Sequence, residues 1–178
     1  AFRKSGGRVI LEVRSWSAKI LEMEPLIDGW WVKGNESGGL VHEESAFILL
    51  QQARTRTHLP VAVRGGIGFH SYAACIAGGS TGIVLDNQLL YYPEAGLPAG
   101  IKDRIGSPAA SDSLLLGDEA RGTYFRCLPL SNKLDRRALQ FELRQAANSG
   151  DYSDCLARWC CSLEQESELL AAGQDLAF

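Results

Sequence analysis

Four short, nearly unbroken apolar runs constrain this chain more than any other feature: Val9–Val13, Trp30–Lys33, Val61–Arg64 and Gly82–Leu85. Their starts lie 21, 31 and 21 residues apart. Runs that are apolar throughout, rather than alternating, are the pattern of parallel strands covered on both faces. Helical patterns fall between them, at Trp16–Glu24, Glu43–Arg56 and Ser71–Ala77. Strand and helix in alternation at this spacing predict an α/β protein with right-handed crossovers. The punctuation agrees: Gly29 precedes the second run, Pro60 opens the third where no ladder donor is needed, and Gly78-Gly79 ends the third helix.

The rhythm stops after residue 92. Residues 93–112 are rich in Pro, Gly, Ala and Ser and read as a surface excursion. Short strands are expected at Ser113–Leu116 and Thr123–Leu128, then amphipathic helices at Leu134–Ala147 and Cys155–Ala171. The chain therefore divides into βα units over 1–92 and a lid or linker over 93–178. A closed (β/α)₈ barrel takes about 250 residues, so counting separates a barrel from an open sheet only weakly. If the units belong to a barrel, its other four strands lie upstream of Ala1. The absent initiator Met agrees with a piece of something longer.

Composition narrows the partners. Eighteen Lys+Arg against 21 Asp+Glu give a formal net charge of −3 with no basic block, so a nucleic-acid footprint has no support. The longest apolar runs, such as Phe47–Leu50, are far below the ~20 residues of a membrane span. Five cysteines (Cys75, Cys127, Cys155, Cys160 and Cys161) form no C-x-x-C pair and read as thiols of a reducing cytoplasm. The first residues, Ala1-Phe2-Arg3-Lys4, lead into Ser-Gly-Gly and do not read as a secretory signal.

Three turns at the carboxyl ends of the runs carry the chemistry: Lys33-Gly34-Asn35-Glu36-Ser37-Gly38-Gly39, Arg64-Gly65-Gly66-Ile67-Gly68-Phe69-His70-Ser71 and Leu85-Asp86-Asn87-Gln88. Glycines directly after a strand let backbone N–H groups approach a ligand, and a helix beginning there adds its positive end. Two such turns on consecutive units point to an anion site. A single Gly-Gly pair making only a tight turn is the plainer reading.

These residues carry a resemblance. Val9–Leu90 resembles the second half of the nitronate monooxygenase (2-nitropropane dioxygenase) family of FMN-binding TIM barrels, which includes flavin-dependent enoyl-acyl carrier protein reductases. That family has strands ending in Q-G-x-E-A-G-G-H, in G-G-I and in G-T. Here they stand as Lys33–Leu40, Pro60–Ile67 and Gly82–Asn87. The wording K-G-N-E-S-G-G, G-G-I-G-F-H-S and V-L-D-N-Q, with a later G-Q-D-L-A-F, is closer to the variant fused into bacterial polyketide or fatty-acid megasynthases.

The resemblance implies the carboxy-terminal half of a TIM barrel, with FMN as cofactor and a small-molecule or carrier-bound acyl substrate. Its partners would be an upstream barrel half and other megasynthase domains. It also implies that Ser37, Gly38, Gly39, Gly65 and Gly66 cradle the FMN phosphate, with Asn87 donating to it and His70 adding a proton-dependent contact. The plainer role for His70 is an exposed helix-start residue. Asp86 beside a dianion would repel it unless it points away or pairs with a base. Leu40 stands where the family has its catalytic histidine. His42 replaces that histidine only if the loop re-aims it; otherwise it begins the following helix. Lys33 replaces the family's glutamine, where an ammonium can stabilise a reduced flavin or an enolate. It can equally be paired to Glu36. Two other expectations stay open: a barrel that serves only for docking or scaffolding, and a non-redox barrel that binds a phosphorylated metabolite.

Overall fold

The structure is a computed structural model that describes residues 2–97, 99–105, 112–118, 120, 122–130, 135–160 and 169–177. In chain order its elements are β1 (Ile10–Val13), α1 (Ala18–Leu21), β2 (Gly29–Lys33), β3 (Gly39–Val41), α2 (Ala46–Arg56), β4 (Val61–Arg64), α3 (Phe69–Ala77), β5 (Gly82–Val84), α4 (Ala99–Ile105), β6 (Leu114–Asp118), β7 (Thr123–Pro129), α5 (Arg136–Ser149), α6 (Tyr152–Cys160) and β8 (Leu169–Leu170).

The four apolar runs form one parallel sheet in the order β1-β2-β4-β5. Adjacent strand residues point to opposite faces. One face carries Leu11, Trp30 and Val61 in one row and Val13, Val32 and Val63 in the next. These rows pack against α2, whose Ala46, Leu49, Leu50 and Ala53 recur at helical spacing and are buried. Ser45 caps this helix, accepting the Ile48 N–H at 3.4 Å, and the Glu36 side chain accepts the Ala46 N–H at 3.0 Å. Trp30 lies at the centre. Its ring meets Trp16 edge-on at 5.1 Å, and its indole N–H donates to Thr57 Oγ1 at 3.1 Å. The opposite face presents Glu12, Trp31 and Ala62, then Lys33, Arg64 and Val84.

The short strands expected at Ser113–Leu116 and Thr123–Leu128 are β6 and β7, but their joining with β3 in a second sheet was not foreseen. β3, β7 and β6 are antiparallel in that order, and β8 pairs with β7. Leu139, Leu143 and Ala146 of α5 and Cys155 of α6 close over its Leu116, Phe125 and Cys127. Because β3 comes from the loop after β2, the segment beyond residue 92 is joined to the βα units through a strand of those units.

Three expected elements are corrected. The helix at Trp16–Glu24 shrinks to the single turn of α1 and is followed by a 3₁₀ turn at Glu24–Leu26, where Pro25 lacks the N–H that an α-helix needs. The excursion over 93–112 contains α4, whose Ile101 and Ile105, one turn apart, are buried with Leu128, Leu130, Leu170 and Leu176. The helix expected over Cys155–Ala171 is not continuous: α6 begins at Tyr152, residues 161–168 lie outside the described ones, and Leu169–Leu170 form a strand on β7. Cys75, Cys127 and Cys155 are buried free thiols. Among the described residues no helix is long and apolar enough to cross a membrane.

Candidate functional site

The carboxyl ends of the parallel strands gather a charged cluster. Arg64 donates to Glu12 at 3.0 Å and to Asp86 through Nε at 2.9 Å, and its guanidinium lies 5.7 Å from the centre of the Trp31 ring. Asp86 thus pairs with a base, one of the two arrangements the sequence left open. Lys33 is buried beside this network, and among the described residues no carboxylate pairs with it. Its ammonium reaches toward Gly39, lying 3.8 Å from where a side-chain carbon would sit there. Burial first, and the Arg64 charge second, hold its pKa below the usual lysine value, against Glu12 and Asp86.

A buried cation without a direct partner costs stability. Lys33→Met, of similar length and no charge, is expected to raise the thermal unfolding midpoint. A lower midpoint in the variant would overturn this account of Lys33.

His42 follows β3 directly, four residues before α2, so it does not begin that helix. It lines a pocket of about 360 Å³ with Glu12, Val13, Arg14 and Thr123, and its buried Nδ1 has no partner among the described residues. Leu40 is aimed elsewhere: it pairs across from Phe125 and packs into the core under α5. Leucine at that position is partly buried against the core under α5. His70 is exposed against Phe69 at the start of α3 and is not brought to the glycine turns.

The two glycine turns do converge. Gly65 (φ +111°) faces Ser37 so closely that a side-chain carbon would come within 2.6 Å of Ser37 Oγ, and Gly66 (φ +63°) sits against Glu36. Both backbone conformations suit glycine. What fills the space between the turns is the chain's own segment 171–177. A side chain on Gly38 would collide with the Ala171 carbonyl. Gln174 N–H donates to Glu36 O at 2.8 Å, and Gly173 N–H donates to Asn87 Oδ1 at 2.7 Å. The Gly66 N–H donates to Asp175 Oδ1. Asp175 is fully buried. Burial chiefly, with Asp86 and Glu36 adding to it and the Gly66 N–H opposing, pushes its carboxyl up to about 6.

These residues do not fit a phosphate dianion as arranged. The Gly66 amide is taken by a carboxylate, and Glu36, Asp86 and Asp175 place acidic groups around the cradle; Asn87 accepts from Gly173 through Oδ1, which leaves its side-chain N–H donors to other partners. Sequence reasoning did not single out Asp175 as a site residue; its signal was the G-Q-D-L-A-F motif near the end of the chain.

No protein-family model and no curated protein matches the chain. Solved structures do. FabK from Thermotoga maritima aligns with 99% of this chain and 56% of its own, at a TM-score of 0.75 and 22% identity. Nitroalkane oxidase from Streptomyces ansochromogenes aligns with 98% of this chain and 53% of its own, at 0.64 and 20%. The enoyl reductase domain of MlnA from the macrolactin biosynthesis cluster of Bacillus amyloliquefaciens aligns with 96% and 60%, at 0.60 and 14%. The chain thus spans between half and three-fifths of the length of each. Its parallel sheet and helices are those of an α/β fold matching one half of a TIM barrel.

Proposed function

We propose that this chain is the carboxy-terminal part of a flavin-dependent barrel oxidoreductase acting on an acyl or carbon-acid substrate. It would work with an upstream half barrel inside a megasynthase, in the cytoplasm. The observation that carries this reading is the largely buried Lys33 side chain, with no carboxylate partner among the described residues, on the face opposite the helices, with Trp31 and Arg64 beside it. A cation placed there, in a poorly hydrated setting, suits a developing negative charge on a reacting group. The fold likeness to a nitroalkane oxidase and an enoyl reductase domain supports oxidoreductase chemistry, and MlnA suggests the megasynthase setting. Fold likeness alone is a weak guide to reaction. His42, which lines the adjoining pocket, would serve as proton acceptor in place of the base that Leu40 removes.

A second reading has its own support. Asp175 in the cradle and Leu40 in the core suit a barrel kept for docking or scaffolding. Adding FMN to the purified protein separates the two. The oxidoreductase reading expects a retained yellow flavin band after gel filtration. It also expects bleaching by NADH or NADPH under anaerobic conditions, and return of the colour with an enoyl thioester. Persistent colourlessness overturns it in favour of the module.

A further inference from the structure

The cradle holds two orphaned polar atoms. Asp175 Oδ2 and Ser37 Oγ belong to fully buried residues and have no hydrogen-bond partner among the described residues. A buried polar atom left unpaired costs free energy and calls for an explanation. Both sit beside the two positive-φ glycines: Asp175 accepts the Gly66 N–H, and Ser37 Oγ faces Gly65. The carboxylate takes from the Gly66 N–H the bond that a phosphate oxygen would take, since both are anionic acceptors for amide donors. The segment that carries it, 171–177, is buried at Ala172, Gly173, Asp175 and Leu176. Two hydrogen bonds from its own amides, to Glu36 O and Asn87 Oδ1, join it to the turns, with Ala172 and Leu176 as its apolar footing. The charged groups facing Asp175 are Glu36 and Asp86, which repel its carboxylate, and Arg64 and Arg126, which attract it.

We propose that Asp175 is an internal stand-in for a ligand phosphate: segment 171–177 and the phosphate compete for the Gly66 amide, so a phosphate-bearing ligand enters only as this segment leaves. The competition concerns the phosphate alone, and it rests on the flavin reading only where it names a flavin nucleotide as the ligand. A binding-competent state populated at a tenth or less weakens apparent affinity by that fraction, and removing the competitor restores it.

The experiment is a titration of the protein with inorganic phosphate. It follows the Gly66 N–H by NMR and hydrogen exchange across residues 170–177, for the unmodified chain and for Asp175→Ala. The expected result is faster exchange over 170–177 as the Gly66 resonance shifts, with Asp175→Ala binding at least ~tenfold more tightly. Three results overturn the proposal: a Gly66 shift with exchange unchanged or slowed, equal or weaker binding by Asp175→Ala, or no phosphate binding by either protein. Should Asp175→Ala fail to fold, exchange in the unmodified chain decides alone. FMN and riboflavin arms judge the flavin reading separately. A variant that binds phosphate as tightly as FMN, and riboflavin not at all, leaves the competition standing and removes the flavin.

Discussion

Replacing Trp30 with alanine is expected to cost about 3–5 kcal/mol, the range for deleting a large buried aromatic. Only 1% of this residue is exposed, and it is the largest of the fully buried side chains. Its loss does more than open a cavity. Thr57 Oγ1 accepts from Trp30 Nε1 and from the Leu59 N–H at 3.1 Å, and donates to Glu24 at 2.7 Å. Removing the indole breaks one bond of that hub and takes away the ring that Trp16 abuts. A domain holds only about 5–15 kcal/mol in total, so the variant should be near its unfolding threshold at physiological temperature. Trp30→Phe keeps most of the volume and should cost distinctly less. Urea titration followed by far-UV circular dichroism checks both. Equal midpoints for Trp30→Ala and the unmodified chain would contradict the packing described.

The second large effect is on acidity. The Asp175 carboxyl sits at about 6 when segment 171–177 is docked and near 4 when that segment is free in water. A raised value means that docking favours the neutral form. Its contribution is complete below about pH 4 and is lost as pH rises through about 6. The change across that window is on the order of 3 kcal/mol at most. Amide exchange across 170–177 should therefore accelerate steeply between about pH 4 and about pH 6, beyond its ordinary base-catalysed rise, and gain no further excess above about pH 7. Asp175→Asn keeps an oxygen acceptor for the Gly66 N–H without a charge, and should flatten the excess. An excess that survives in Asp175→Asn would assign the effect to Glu36 or Asp86 instead.

The parallel sheet was legible because its strands are buried on the helix side and read as apolar runs; all four stand within two residues of their expected bounds. Strand alternation divides Trp30 from Trp31, with one indole in the helix-side core and the other beneath Arg64. β3 was invisible for a physical reason. Gly39-Leu40-Val41 is too short to show a period, and what makes it a strand is a partner far along the chain. The site was legible in part. The glycine turns were placed at the correct strand ends and do meet, because glycine after a strand is a local signal. The occupant of the gap was not, since Asp175 lies 109 residues from the amide it engages. No window of sequence contains both.

The pairing of β3 with β7 has a consequence for how the molecule comes together. Leu40 and Phe125 are 85 residues apart, whereas successive partners in the parallel sheet are separated by about twenty to thirty. Distant pairings form late, because the entropy of closing a long loop must be met before its contacts give anything back. The parallel sheet should therefore assemble first, with β3 as a loose thread awaiting β7. A shortened chain that ends before Thr123 would keep the first sheet and leave β3 an open edge, an invitation to self-association in any truncated product.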